Sequence, residues 1–580
     1  MTYLTRKNSC LQSIAFALLL FTGQIFQCRG QQSAIPLQTK LTKEQLAESL
    51  NKTIPPLLDS AAIPGLSLAV IADGKLIYHQ TFGVIHAETK DKVNANTVFE
   101  AASLSKPVFA YICLKLVDTG LLELDKPLYQ YLPYADIERD ARYRKITARM
   151  VLSHTTGFPN WRNDDSLRIN FEPGQKFSYS GEGYVYMQKV VEKLSGLTLN
   201  ELATEKVFKP LGMANTSYVW REGYNHNMAS PHNQFGEPMT KRKPDQANAA
   251  SSLHTTALDY SRFMTSLLSG TGLKKKSLES MLTSQVKVPQ DRQKPDGPVS
   301  SAVSWGLGVG LQQTKQGRSF WHWGDNYAFK CYAVAYPDQK LGVVYFTNSY
   351  NGLSIAKAVL ARTIGGDHPV INFLGYENYQ DTAFIFKKNA MTEGVQKALA
   401  PFLDASKKAL INESTMHQFG HQLLGMRKLP QAKEVFAYNR QSHPQSPFVY
   451  EGYAFACLVN GELVEAAENY QKFLDLKPDT PEARTIYNGL LATQSQKGKT
   501  EFRLKGRGNA KLVTVAGTFN DWFPFATFLI REGDDWVCRL DIKPGDHQYK
   551  FVVDGQWILD PANQATVKEK GHTNSLVQIR

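Results

Sequence analysis

The hydrophobic pattern of this chain changes period twice, and a single repeating architecture cannot satisfy that. From about residue 45 to 360, helical runs alternate with short β-rich runs. A helical segment with a 34-residue repeat follows, and beyond it the period falls to two. One face of a helix recurs every 3.6 residues and one face of a strand every two. Three patterns in series therefore call for three separate cores. The length of 580 residues agrees, being too long for one.

In the first segment, Leu66–Ile71, the Asp73-Gly74 turn signal and Leu76–Tyr78 read as a hairpin, and Leu341–Thr347 as a buried strand. Strands at both ends with helices between predict an α/β (α+β) domain, its helices packed on an antiparallel sheet. In the second segment Gly420, Ala432, Phe436 and Pro444 recur 34 residues on as Ala454, Ala466, Tyr470 and Pro478. Small residues let paired helices approach, the aromatic fills the gap and proline ends the unit. Period and residue types resemble tetratricopeptide repeats, which implies either a groove for a peptide or protein partner or a plain helical spacer. Polar Ala492–Thr500 reads as a linker. Lys511–Ala516, Trp536–Leu540, Gln548–Val553 and Ser575–Ile579 then alternate as strands, with turn signals at Gly533-Asp534, Pro544-Gly545 and Asp554-Gly555. They predict a small immunoglobulin-like β-sandwich.

Hydrophobic residues at 42% and charged ones at 21% are those of an ordinary globular protein. The net charge of +13 is dispersed, and Lys241-Arg242-Lys243 and Lys274-Lys275-Lys276 read as solvated loops. With no basic helix and no aromatic stacking motif, nucleic acid is not an expected partner. Arg6 and Lys7 precede an apolar stretch from Leu11 to Phe26, the pattern of a secretory signal cleaved after Gly30. A secreted or periplasmic location follows. Lipoprotein anchoring at Cys28 is disfavoured because Phe26 and Gln27 are bulky where that signal prefers small residues. Cys113, Cys331, Cys457 and Cys538 are too scattered for a disulfide framework or a zinc site, and read as buried free thiols. The boundaries that follow are 1–30 for the signal, 31–375 for the mixed domain, 376–499 for the helical region and linker, and 500–580 for the sandwich.

Ser-x-x-Lys occurs four times, from Ser49, Ser103, Ser284 and Ser354. Residues i and i+3 share a helix face, and a lysine amine in a dry pocket can take a serine proton. Only Ser103-Leu-Ser-Lys106 has suitable company: Tyr179-Ser180-Gly181 after Pro173-Gly174, and His322-Trp323-Gly324 before the strand-like run Cys331–Pro337. These motifs, in this order, resemble the serine β-lactamase and penicillin-binding protein superfamily, in particular class C β-lactamases and their esterase and D-aminopeptidase relatives. Leu152-Ser-His-Thr-Thr-Gly157, Leu253–Asp259, Trp305–Gly308 and Leu341–Val344 extend the resemblance over about residues 45–360.

The resemblance implies a serine acyl-enzyme. Ser103 is the implied nucleophile and Lys106 its activator. Tyr179, as phenolate or phenol, shares the proton work. His322 stands where relatives carry lysine or histidine, and would support Tyr179 or the leaving group. The backbone N–H groups of Ser103 and Asp325 form the implied oxyanion hole, and Gly181, Trp323 and Gly324 the implied substrate wall. No cofactor and no metal are needed. Gly181 replaces the asparagine usual in β-lactamases, and Asp325–Phe329 is bulky where relatives are often glycine-rich. Both departures favour a small ester, amide or peptide substrate over a β-lactam. A β-lactamase, or a non-catalytic scaffold of the same fold, is the alternative.

In the last segment, Ala516–Trp522, His547–Trp557 and Asp560-Pro561 resemble the glycogen-binding module of AMP-activated protein kinase β subunits. The resemblance implies an α-glucan partner, with Trp522 and Trp557 stacking on glucose rings and Lys550 and Asn574 bonding hydroxyls. Lys570 falls where the kinase module has leucine.

Overall fold

The computed structural model describes residues 41–163, 166–402, 411–495, 497–569 and 571–580. The signal segment with Cys28, and Lys570, lie outside the described residues. The first domain is built on an eight-stranded antiparallel sheet in the order β2-β1-β10-β9-β8-β7-β6-β5. Its strands are β1 (Gly65–Ala72), β2 (Lys75–Gly83), β5 (Val286–Pro289), β6 (Val299–Trp305), β7 (Gly310–Thr314), β8 (Gly317–Asp325), β9 (Lys330–Tyr336) and β10 (Leu341–Thr347). The short strands β3 (Phe99–Ala102) and β4 (Leu253–Thr255) pair separately beside it. Asp73 and Gly74 both have positive φ, the backbone a two-residue hairpin turn requires, and they join β1 to β2. The run Leu341–Thr347 forms β10 and closes the sheet by pairing with β1, joining the two ends of the domain's sequence.

Both faces of the sheet are covered. Helix Lys43–Ser60 packs with helix Ala356–Thr363 on one face, and helix Ala257–Ser269 on the other. In the helix Ser105–Asp118 every residue from Ser105 to Leu114 is buried, and charge reaches the surface only in the last turn, at Lys115 and Asp118. A helix whose first ten residues have no solvent face belongs inside a domain. It crosses the larger core, which fixes the direction in which Ser103, at its entrance, points.

Residues through Leu374 pack with the sheet, whereas Phe386 onwards packs into a second core. Five helices follow at Glu413–Gly425, Leu429–Ser442, Pro447–Val459, Leu463–Leu476 and Pro481–Ser495. The Phe436 ring fills the space against Gly420 and Gly452, where a Cβ would lie 2.4 and 2.5 Å from it. The last of these helices runs to Ser495, through half of the stretch that sequence alone reads as a linker. Its apolar face decides this: Ile486 and Leu490 are buried, and Gly489 lies against the Ala526 carbonyl.

The C-terminal segment forms two antiparallel sheets. One carries Thr500–Leu504, Asp535–Leu540 and Ile530–Glu532; the other carries Val513–Gly517, Gly545–Val553, His572–Ile579, Thr566–Glu569 and Gln556–Ile558. Trp536 is buried between them and donates to the Arg507 carbonyl at 2.9 Å. Leu512 and Phe528 leave this sandwich and bury themselves in the helical core. Cys113, Cys331, Cys457 and Cys538 are buried free thiols.

Candidate active site

Ser103 sits between β3 and the buried helix, and the turn that presents it is held in an uncommon conformation. Ala102 has φ +49°, in the left-handed region that costs a residue with a Cβ roughly 1 kcal/mol or more. Neighbours hold it there: Ser105 Oγ donates to the Ala102 carbonyl, and the N–H of Leu253 donates to Ser105 Oγ at 3.0 Å. Lys106, one turn along, is fully buried. Its Nζ donates to Ser103 Oγ at 3.1 Å and to the Ala250 carbonyl at 2.9 Å. Burial without a carboxylate partner pulls its pKa down to about 7.

Tyr179 packs its ring 4.7 Å from Lys106 Nζ. Burial raises its pKa, and the nearby Ser103 hydroxyl, which is not in hydrogen-bonding geometry with it, offsets only part of that push. At neutral pH Tyr179 is therefore a phenol and Lys106 is the group that loses a proton. His322, on β8, donates from Nδ1 to the Trp323 carbonyl at 2.7 Å, which leaves Nε2 as an acceptor. Burial and Lys106 hold its pKa down to about 3, so it is neutral.

His154 completes the group. The sequence marks it only as part of a supporting motif, and its chemistry emerges from the fold. Its ring stacks on Tyr179 at 4.3 Å and its Nδ1 accepts the Ser180 N–H at 3.0 Å, so Nε2 carries the proton. The two neutral histidines thus flank Tyr179 with opposite tautomers. His154 Nε2, Tyr179 Oη and His322 Nε2 are all buried without hydrogen-bond partners among the described residues. Orphaned polar atoms are rare and costly, and three clustered around Tyr179 mark a candidate functional site.

Gly324 explains how β8 reaches Ser103. A Cβ there would lie 2.3 Å from both the Ala101 carbonyl oxygen and Cys331 Sγ. The missing side chain lets the strand lie against the two residues preceding Ser103 and brings the Asp325 peptide alongside. Gly324→Ala is expected to push the strand away, lowering kcat for an ester by about 100-fold or more, with a destabilisation of about 1–3 kcal/mol. Steady-state kinetics and thermal melts check both.

Two expectations are corrected by the packing. Trp323 is only 3% exposed. Its ring lies 4.9 Å from Tyr179, and its Nε1 donates to Tyr376 Oη at 3.1 Å. It backs the site from the side of β8 that faces the packed helices, and leaves little surface open to a substrate. Within the bulky loop after Gly324, Ala328 and Phe329 turn into the core, where Phe329 meets Phe99. Asn326 donates to Glu100 Oε2 at 2.7 Å, and Arg242 also pairs with Glu100. Tyr327 alone, 52% exposed, narrows the mouth. The Asp325 carboxylate is held by Lys330 at 2.9 Å and Tyr376 Oη at 2.6 Å.

Gly181 is where the departure from β-lactamases takes physical form. A Cβ on it would lie 2.7 Å from the Trp161 ring and 2.9 Å from the Asn160 carbonyl. Glu182 accepts from Arg162 at 2.7 and 3.0 Å and pins this loop over the position. An asparagine cannot occupy residue 181 while Trp161 lies there.

In the C-terminal module, Trp522 and Trp557 face one cleft of about 550 Å³ with Lys550 and Asn574. The indole centroids are 6.3 Å apart, and Trp557 is 45% exposed. Asp521 and Trp522 both have positive φ, a strained pair of the kind that accumulates at ligand sites. Asn574 is buried, its amide donating to Gln548 Oε1 at 2.8 Å.

A serine at the entrance of a buried helix, bonded to a fully buried lysine of that helix and facing a glycine-bearing strand of an antiparallel sheet, defines a serine hydrolase of the β-lactamase type. The Beta-lactamase family model matches residues 50–362, more than half of the chain, and the chain belongs to that family. Residues 499–580 match the model described as the glycogen recognition site of AMP-activated protein kinase. A penicillin-binding protein of Bacillus subtilis (strain 168) is 24% identical over 325 residues, covering 50% of this chain and 68% of its own. A beta-lactamase of Yersinia enterocolitica is 25% identical over 349 residues, covering 54% and 89%. Among solved structures, the octameric penicillin-binding protein homologue from Pyrococcus abyssi aligns with a TM-score of 0.48 at 22% identity, over 60% of this chain and 81% of that one.

Proposed function

We propose that the protein is an exported serine hydrolase that cleaves an ester or amide, of the esterase or D-aminopeptidase type, through a Ser103 acyl-enzyme. The observation that carries this reading is the dry Lys106 amine 3.1 Å from Ser103 Oγ with its pKa near 7. Neutral Lys106 takes the Ser103 proton as Oγ attacks the carbonyl carbon. The tetrahedral oxyanion is received by the N–H groups of Ser103 and Asp325, about 3 kcal/mol for each donor. Tyr179, a phenol, passes a proton to the leaving group and is re-protonated from Lys106, its ring held in place by those of His154 and Trp323. Water then repeats the sequence on the acyl ester and releases Ser103.

Trp161 over Gly181 and Tyr327 at the mouth support an ester or amide over a bicyclic β-lactam. Beside Asp325 a cleft of about 510 Å³ continues between the first domain and the helices, lined by Arg292, Lys330, Lys387 and Lys388. Lys330 and Lys387 are paired there with Asp325 and Glu377, so Arg292 and Lys388 supply the surplus positive charge that would suit an acidic group on the substrate. A fluorophosphonate probe should label Ser103, and p-nitrophenyl esters or D-aminoacyl amides should turn over faster than nitrocefin. Labelling at another serine contradicts the acyl-enzyme reading, and preferential nitrocefin hydrolysis contradicts the substrate reading.

The C-terminal cleft is read as an α-glucan site that holds the hydrolase on a polysaccharide. The paired indoles support it, offering flat apolar faces at a spacing suited to adjacent sugar rings. Replacing Trp522 and Trp557 together by alanine should weaken amylose binding by at least roughly 30-fold, since a stacking tryptophan commonly contributes about 2 kcal/mol. Affinity electrophoresis reads this directly, and an unchanged mobility shift would remove the sugar site.

A further inference from the structure

The helical segment brings together a donor set that the sequence scatters. His417 and His421 lie one turn apart on helix Glu413–Gly425, with ring centroids 4.5 Å apart. Glu451 comes from helix Pro447–Val459, a full 34-residue period beyond His417. One ligand atom from each of the three lies within 4.8 Å of the other two. We propose that His417, His421 and Glu451 bind a divalent transition metal ion of the zinc class, joining two helices of the repeat segment.

The chemistry of the three groups supports this. His417 Nδ1 is buried with no hydrogen-bond partner among the described residues. Glu451 has no cation beside it there; burial and the neighbouring Glu482 make its negative charge costly. Both histidines are partly buried, which favours the neutral imidazole that a metal requires. Two imidazoles and a carboxylate suit zinc, with one coordination position left for water or another ligand. His421 also lines a cavity of about 690 Å³ between these helices and the C-terminal module, which gives the ion a way in. The other cluster of metal-ligating side chains among the described residues of this segment is different in kind. Near Cys457, Lys433 holds Glu462 at 2.6 Å and Glu465 at 2.8 Å, so those carboxylates already have their cation.

The test uses the full chain without a histidine tag, stripped with chelator and titrated with Zn²⁺ by calorimetry. One equivalent should bind. His417→Ala with His421→Ala should weaken that event by roughly 100-fold, since loss of even an outer-shell partner costs 10–100-fold. Glu451→Gln, nearly isosteric, should weaken it by at least about tenfold while the metal-free melting temperature stays at the parent value. Co²⁺ should give the visible absorption of a four-coordinate site in the parent and lose it in the double-histidine variant. Zinc binding with unchanged affinity and stoichiometry in both variants would overturn the site, as would absence of binding to the parent.

Discussion

Ser103→Ala is expected to abolish ester turnover and covalent labelling together, with a loss in kcat on the order of 10⁴-fold or more. The fold should survive. The hydrogen bond that holds the Ser103 hydroxyl comes from Lys106 Nζ, and Nζ keeps the Ala250 carbonyl when the hydroxyl is removed. Thermal melts of parent and variant should therefore agree closely. That separation matters, because a variant that merely unfolds would also lose activity. Retention of more than about 1% of parent turnover, by a variant with native melting behaviour, would move the nucleophile elsewhere.

Lys106→Met should do two opposite things: eliminate turnover and stabilise the protein. The folded pKa of about 7 lies below the ordinary lysine value of 10.5 because burial opposes the charge. Below about pH 7 the amine is charged in both states, and the folded state bears the full penalty, on the order of 5 kcal/mol. Between about pH 7 and 10.5 the unfolded chain binds the extra proton, so stability rises with pH through that window. The gain from Lys106→Met should thus be largest at or below pH 7 and fade towards pH 10. In the parent, kcat/KM for an ester should rise with pH through about 7, as the amine becomes a base. Denaturant titrations at pH 6 and 9.5, with a pH–rate profile, measure both effects. A Lys106→Met protein that is less stable than the parent at pH 6 would refute the picture of a dry, unpaired amine.

The sequence carried the chemistry better than the means of presenting it. Ser103, Lys106, Tyr179 and His322 span more than 200 residues, yet motifs read one by one pointed to four side chains that the fold gathers in one place. The strand Leu341–Thr347 was legible as an unbroken apolar run, as befits a strand buried on both faces. What stayed hidden depends on contacts between distant segments. The left-handed backbone of Ala102 has no signature, because alanine itself disfavours it. Trp161 looks like a loop tryptophan until the Arg162–Glu182 pair is seen to pin it over Gly181. Trp323 looks like a substrate contact until Tyr179 and Tyr376 enclose it. His417 and Glu451 are ordinary members of two helices until the repeat stacks one helix on the other.

The junction between the helices and the sandwich also has a bearing on how such a chain is inherited. Leu512 and Phe528 are surrendered by one module to the interior of the other. A Cβ at Gly461 would lie 2.3 Å from the Lys511 carbonyl oxygen, and one at Gly489 would lie 2.4 Å from that of Ala526. Gly489 has no reason in its own helix, and Gly461, whose φ of +83° already suits the turn after helix Pro447–Val459, is pressed from the same side. Each answers to a surface encoded elsewhere, so the sugar-recognition cassette cannot be shuffled onto another protein, or cut away from this one, without leaving a scar on both sides.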